Sequence, residues 1–369
     1  MEKLEKLTAA SKTVPSAAKE YNPYLDVLKG LAILLVVFGH SIQNYLPDSY
    51  YEQNIIFRAI YSFHIPLFMF LAGAAATYSS RPMNLDFIKR KFYMLVIPFI
   101  SWGVIEYAIS PHAHLTPFLT YMYQDLKFPD YGLWFLWVLF FNFCLLAIGK
   151  WLTKYLRLYS YLLVWFVVYC IPHNTYGIGL IKWHFPFFIA GYLIFTYRER
   201  LAKYRQWVAA ICVVSWPLLL LSWHRLYYPH FITTLQPRLI AHHLDPIPLG
   251  SLLIVDTYQL IAFIYSYAVP FSAIGAVFWL MRLRPSKYLW KFLAFIGLYT
   301  IDIYAIVLST SLLDHGYGYS WLRIINSFVI ATVEAIIIGK FILRPIPVLS
   351  AILLGGRSTP KAVTLKTKA

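Results

Sequence analysis

Apolar residues along this chain gather into runs long enough to cross a bilayer, divided by short stretches of charged residues, Pro and Gly. Neither strand alternation nor the single polar face of a soluble helix produces that pattern. The runs fall at about 25–46, 55–78, 92–111, 132–149, 158–172, 178–197, 207–224, 258–280, 289–313 and 321–343. They predict an all-α polytopic membrane protein of about ten helices. The first run, LDVLKGLAILLVVFGH (25–40), sets Asp26, Lys29 and His40 on a segment otherwise suited to hydrocarbon. Asn22-Pro23 is a helix start signal and Pro47-Asp48 a stop. Lys29 and His40 stand roughly 16 Å apart along such a helix, about half the hydrocarbon thickness.

Composition agrees with the pattern. Sixty per cent of the 369 residues are hydrophobic and 13% charged, with a mean hydropathy of +0.60, more apolar surface than one water-soluble core can hide. A net charge of +16 would suggest nucleic acid in a soluble protein. Here the placement of the charges sets topology instead, and no nucleic-acid partner is expected. Lysines 3, 6, 12 and 19 precede the first run, and clusters that include Lys89, Arg90 and Lys91 follow the even-numbered runs. The odd-numbered connections carry more acidic residues. The alternation places both termini in the cytosol, with a cytosolic tail over 1–20, a transmembrane domain over 21–345 and a basic cytosolic tail over 346–369. The first twenty residues lack the apolar stretch of a cleaved signal peptide. Cys144, Cys170 and Cys212 fall singly in apolar runs, so neither a disulfide framework nor a metal site is expected.

No connection is long enough to fold as a domain of its own, so chemistry has to lie within or between the helices. His40, His64 and His184 fall in the outer halves of runs one, two and six; the other eight histidines fall at outer helix ends or in outer loops. An ionisable group within a span is costly and lines a cavity or does a job. A tight hairpin sets His40 and His64 at similar depth, and a neutral imidazole suits proton exchange with a sugar hydroxyl. A structural histidine hydrogen-bonded to a neighbouring helix is the other reading. Lys29 either snorkels to the headgroups or holds an anionic donor arriving from the cytosol. Glu106, Asp302 and Glu334, with Asp26, are the remaining buried polar candidates. They invite pairing with histidines or Lys29, or a proton path in a transporter.

These residues resemble the integral-membrane acyltransferases called acyltransferase 3, in particular their fucose 4-O-acetylase-like branch. The first run is similar to the family's basic-Gly opening with His after ten intervening residues. SFHIPLFMFLAG (62–73), FIKRKFYMLVIPF (87–99), GLWFLWVLFF (132–141), FPFFIAGYLI (185–194) and GLYTIDIYAIVLS (297–309) resemble later motifs in the same order. The resemblance implies O-acyl, commonly O-acetyl, transfer from acetyl-CoA or another acyl-CoA to a hydroxyl of an extracytoplasmic or lipid-linked sugar, at the bacterial inner membrane, with no permanently bound cofactor. It implies His40 as the catalytic histidine, His64 as its second-helix partner, and Lys29, Lys89, Arg90 and Lys91 as donor-binding cations. The sequence departs from the pattern at Met94, where the family has a second basic residue, at Ala72 in place of Ser, and at Val307 in place of a ninth-helix His. A proton-coupled transporter or flippase of glycan precursors, using Asp302 and Glu334, is the alternative. An inactive relative kept for assembly is a third.

Overall fold

The structure, a computed structural model, describes residues 22–46, 53–79, 82–109, 116–129, 132–171, 175–223, 257–283, 286–309 and 320–357. Among these residues the chain is helical throughout, with no strand. The elements are α1 (Pro23–Tyr45), α2 (Ile55–Tyr61), α3 (His64–Ala76), α4 (Leu85–Lys91), α5 (Ile97–Ile109), α6 (Phe118–Lys127), α7 (Trp134–Leu156), α8 (Tyr159–Tyr169), α9 (Ile178–Thr196), α10 (Arg205–Leu220), α11 (Thr257–Arg282), α12 (Lys287–Leu298), α13 (Thr300–Ser309), α14 (Trp321–Ile338) and α15 (Pro347–Leu354). A short turn, Arg198–Tyr204, joins α9 to α10. Each predicted apolar run is largely helical over its described residues. Seven segments are long and apolar enough to cross a membrane, and α12 with α13, bent by 64°, make an eighth. The helices in runs five and seven, α8 and α10, are shorter, at 11 and 16 residues.

Two close crossings hold the bundle together. α1 lies against α12, where a Cβ on Gly30 would fall 1.9 Å from Leu293 O and one on Gly297 1.9 Å from Asp26 O. α3 lies against α9 in the same way, through Gly73 on Phe188 O and Gly191 on Phe70 O. Helices in lipid gain little from apolar burial alone, so backbone-to-backbone packing of this kind supplies the association.

The breaks follow from prolines. Asn22 Oδ1 accepts the Tyr24 N–H at 3.1 Å, with Pro23 in the first turn, as the start signal predicts. Pro66 has no N–H to donate to the Ser62 carbonyl, and the second span is interrupted between α2 and α3 at Ser62-Phe63. Pro98 likewise withholds a donor from Met94 O, and the third span absorbs the loss in a π turn, Phe92–Val96, between α4 and α5. A second π turn, Gly339–Leu343, ends α14 just before Arg344-Pro345. The segment after 345, expected to be a basic tail, continues as α15, which packs on α5. Trp102 Nε1 donates to Leu353 O at 3.0 Å.

Candidate functional site

An elongated cavity of about 470 Å³ runs between α1, α3, α7, α12 and α13. Its walls are largely apolar along most of its length, with Ile33 and Val36 of α1, Phe68 and Leu71 of α3, and Phe135 and Leu139 of α7. At one end, called here the basic end, it is lined by Lys29, Arg90, Lys91 and Arg357. Arg90, Met94 and Arg357 also line an open vestibule of about 720 Å³ together with Lys89, Tyr93, Arg344, Gly355 and Gly356. Vestibule and cavity thus share a neck that carries two arginines.

Four of the expected donor cations therefore converge. Lys29 is half-exposed and pairs with buried Asp26 at 3.0 Å. Lys91 sits 3.7 Å over the Phe143 ring and 5.4 Å over Phe87, its charge resting on aromatic faces. Arg90 reaches both spaces, whereas Lys89 touches only the vestibule. Beside Met94, where the family has a second basic residue, the wall carries Arg357 from beyond the last span. Gly355 makes this possible. It ends α15 at φ 66° with its Cβ position 2.5 Å from Met94 O, a close approach in a left-handed turn that a side chain would obstruct.

Asp302, expected as a proton carrier or a partner of a histidine, is instead locked to Arg344. Nε donates to Oδ1 at 2.8 Å and Nη2 to Oδ2 at 2.6 Å. Nη2 also donates to Leu298 O at 2.8 Å, one of the carbonyls released by the bend between α12 and α13, and the guanidinium lies 4.6 Å from the Tyr299 ring. Gly339 in the π turn admits the carboxylate, which is fully buried. Val307, where the family has its histidine, is buried in the apolar core. Glu334, expected to be buried, is exposed on the outside of α14.

His40 and His64 lie at the other end and share one neighbour. The Tyr61 ring is 6.4 Å from the His40 ring and 4.6 Å from the His64 ring, centroid to centroid, so the imidazoles are at most 11.0 Å apart. The Tyr61 hydroxyl donates to Gln43 Oε1. His64 is buried at the start of α3, and its Nδ1 lies 2.9 Å from Ile60 O, just across the Pro66 break. A carbonyl can only accept, so Nδ1 carries the proton and the lone pair of the neutral ring is on Nε2. Neither histidine lines the cavity, but each continues a lining stripe. Lys29, Ile33, Val36 and His40 share one face of α1, and His64, Phe68, Leu71 and Ala75 one face of α3. His184 is buried in α9 with Nδ1 2.7 Å from Leu180 O. The other eight histidines lie outside the described residues.

Near Tyr304 of the cavity wall, Glu106 of α5 stands close to Asp125 of α6. Burial pushes the Asp125 carboxyl up to about 6. Sequence reasoning counted Asp125, Arg344 and Arg357 only as loop or tail charges. The Gly pair after the apolar run 347–354 was the one local sign that Arg357 turns back toward the bundle.

An Acyltransferase domain matches residues 22–340. The chain is 27% identical over 219 residues to the Nodulation protein NolL of Sinorhizobium fredii (strain NBRC 101917 / NGR234), covering 52% of this chain and 56% of that protein. To the Nodulation protein NolL of Mesorhizobium japonicum (strain LMG 29417 / CECT 9101 / MAFF 303099) it is 25% identical over 239 residues, covering 58% and 62%. The chain thus spans little more than half the length of each of these relatives. No solved structure matches.

Proposed function

Because the chain belongs to the acyltransferase family whose domain matches residues 22–340, we propose that it is a membrane O-acyltransferase, taking an acetyl or other acyl group from cytosolic acyl-CoA to a hydroxyl of an extracytoplasmic or lipid-linked sugar. The basic end faces the cytosol in this reading, and the membrane is the bacterial inner membrane. The observation that carries it is the α1 stripe. A cationic neck leads into an apolar cavity whose wall runs from Lys29 through Ile33 and Val36 toward His40.

Acyl-CoA is a phosphate-rich head on a long, mostly uncharged arm that ends in a thioester, and the two spaces match its parts. Lys89, Arg90 and Arg357 in the vestibule and neck hold the phosphates by charge-assisted hydrogen bonds, and Lys29 and Lys91 attract the group as it enters. The arm lies along the cavity with its thioester toward the histidine end. There His40 removes the proton from the acceptor hydroxyl as the oxygen attacks the thioester carbonyl carbon. The C–S bond then breaks, CoA leaves as thiolate, and the proton passes from the imidazolium to sulfur. His64 assists by hydrogen bonding. A transport role loses its carriers, since Asp302 is held by Arg344 and Glu334 lies outside the bundle.

The test is mass spectrometry of the acyl content of the cell's glycans with and without this protein, together with transfer of label from acetyl-CoA into them by membranes that contain it. Ester-linked acyl groups should appear only with the protein. Identical acyl content in the two strains would refute the reading.

A further inference from the structure

Two carboxylates at the far end of the cavity remain without a structural role. Glu106 projects from the last turns of α5, and Asp125 from the last turn of α6, a short helix outside the spans. Both meet at Gly132, immediately before α7: a Cβ built there would lie 3.1 Å from Asp125 Oδ1 and 3.6 Å from Glu106 Oε2. Those two oxygens are therefore no more than 6.7 Å apart. Gly103, on the same helix as Glu106, leaves room for Asp125 Oδ2 at 3.0 Å from its own Cβ position. Asp125 is only 9% exposed.

Among the described residues neither carboxylate has a cation beside it. The hydroxyl that stands next to Glu106 belongs to Ser309, at the end of α13. It is 4% exposed and, among the described residues, its Oγ makes no hydrogen bond of good geometry. Buried polar groups are nearly always satisfied, so a buried hydroxyl whose only polar neighbour among the described residues is a carboxylate, beside a second carboxylate with no cation, marks a place where a ligand completes the set. Asp302 differs, since both of its oxygens are engaged by Arg344.

The position of the group gives it a use. Tyr304 lines the cavity, accepts the Phe135 N–H at 3.2 Å, and lies near enough to Glu106 to sense its charge. Tyr304 thus neighbours both the donor cavity and the carboxylate pair. We propose that Glu106, Asp125 and Ser309 form the acceptor site, binding neighbouring hydroxyls of a sugar at the far end of the cavity. The inference rests on the transferase reading and names the part of the site that faces the acceptor. Carboxylate oxygens accept from O–H donors, and the Ser309 hydroxyl both donates and accepts, a set that suits a ligand rich in hydroxyls and free of negative charge.

Inside-out membrane vesicles from the producing cells carry the native acceptor and take labelled acetyl-CoA at their cytosolic face. Fusing them with acceptor-free liposomes dilutes the acceptor and yields transfer rate as a function of acceptor density. Asp125→Asn and Glu106→Gln should raise the half-saturating acceptor density tenfold or more, while the affinity of each purified variant for CoA stays within twofold of wild type. Ser309→Ala, the mildest change, should raise it severalfold and guards against a variant that fails to fold. Unchanged acceptor dependence in the folded variants overturns the acceptor site and leaves the transferase reading standing. Wild-type vesicles that transfer no label overturn both.

Discussion

At the basic end of the bundle Arg344 and Asp302 meet in a bidentate pair that also ties down a free carbonyl of the bend between α12 and α13. At the opposite end Glu106 and Asp125 face each other across Gly132, and the hydroxyl nearby makes no hydrogen bond of good geometry among the described residues. Both regions hold carboxylates in an apolar packing, with Asp302 and Asp125 buried and Glu106 partly so, yet one is complete and the other is not. The complete one serves the fold, because it closes a helix break that would otherwise expose backbone to hydrocarbon. The incomplete one gains nothing for stability, and its cost makes sense only if something arrives to complete it. The same contrast separates the cations: Arg344 reaches the vestibule with its guanidinium already committed to Asp302, whereas Arg90 and Arg357 line both vestibule and cavity.

The largest effect should come from the reacting end. His40→Ala should insert normally yet lower transfer about 10²–10⁴-fold, the usual loss of a general base. Labelled acetyl-CoA in membranes with native acceptor measures it, and near wild-type transfer would remove His40 from the chemistry. His64→Ala should fall between the two.

Next in size is the complete pair. Arg344→Met leaves a buried carboxylate uncompensated and should destabilise the protein by about 3–5 kcal/mol in a denaturant titration in detergent, whereas pairing it with Asp302→Leu should recover most of that loss. A double variant no more stable than the single one would show that the bend needs Arg344 for its carbonyl contact rather than for Asp302.

The open cations should behave differently. Arg357→Ala or Lys29→Ala should weaken CoA binding by roughly tenfold, about 1–2 kcal/mol, with little change in stability for Arg357→Ala and some loss for Lys29→Ala, which leaves buried Asp26 unpaired. Calorimetry on the purified protein decides this, and unchanged affinity would reduce either residue to a topology anchor. A cysteine placed at 83–88 should resist an impermeant maleimide from outside, and cysteines in 112–130 or 225–245 should label, if the two ends lie on opposite sides of the membrane.

The smallest effect is a pH slope. Burial raises the Asp125 carboxyl from 3.8 to about 6, so between those values the folded protein holds a proton that the unfolded chain has released. Its contribution is full below about pH 4 and is lost as the pH rises through 6. Thermal stability should therefore fall over that window in wild type, and Asp125→Asn should flatten this part of the slope. An unaltered slope in the variant would mean that other groups produce it.

Much of this was legible in the sequence because it is local. Apolar runs, the Asn22-Pro23 start and the prolines at 66 and 98 act within a few residues, and each is found where its chemistry requires. The spacing of Lys29 and His40 likewise sufficed to set them on one face of α1, since eleven residues are close to three helical turns. Glu334 was misjudged for the converse reason. Its position along α14 was right, but a helix turns every residue by about 100°, and the pattern around Glu334 is apolar on all sides, so no local signal told the inside from the outside.

The all-α membrane class and the stripe from Lys29 to His40 were thus determined by the order of residues alone, because periodicity suffices to specify them, whereas of about ten expected spans seven, or eight with the bent pair, are long and apolar enough among the described residues. The tertiary structure decided which charges meet. Arg344 finds Asp302 across 42 residues, Arg357 comes to stand beside Met94, and Glu106 faces Asp125. A charge selects its partner through distance and shared burial, and both are set only when the glycine crossings and proline breaks have brought separate helices into register.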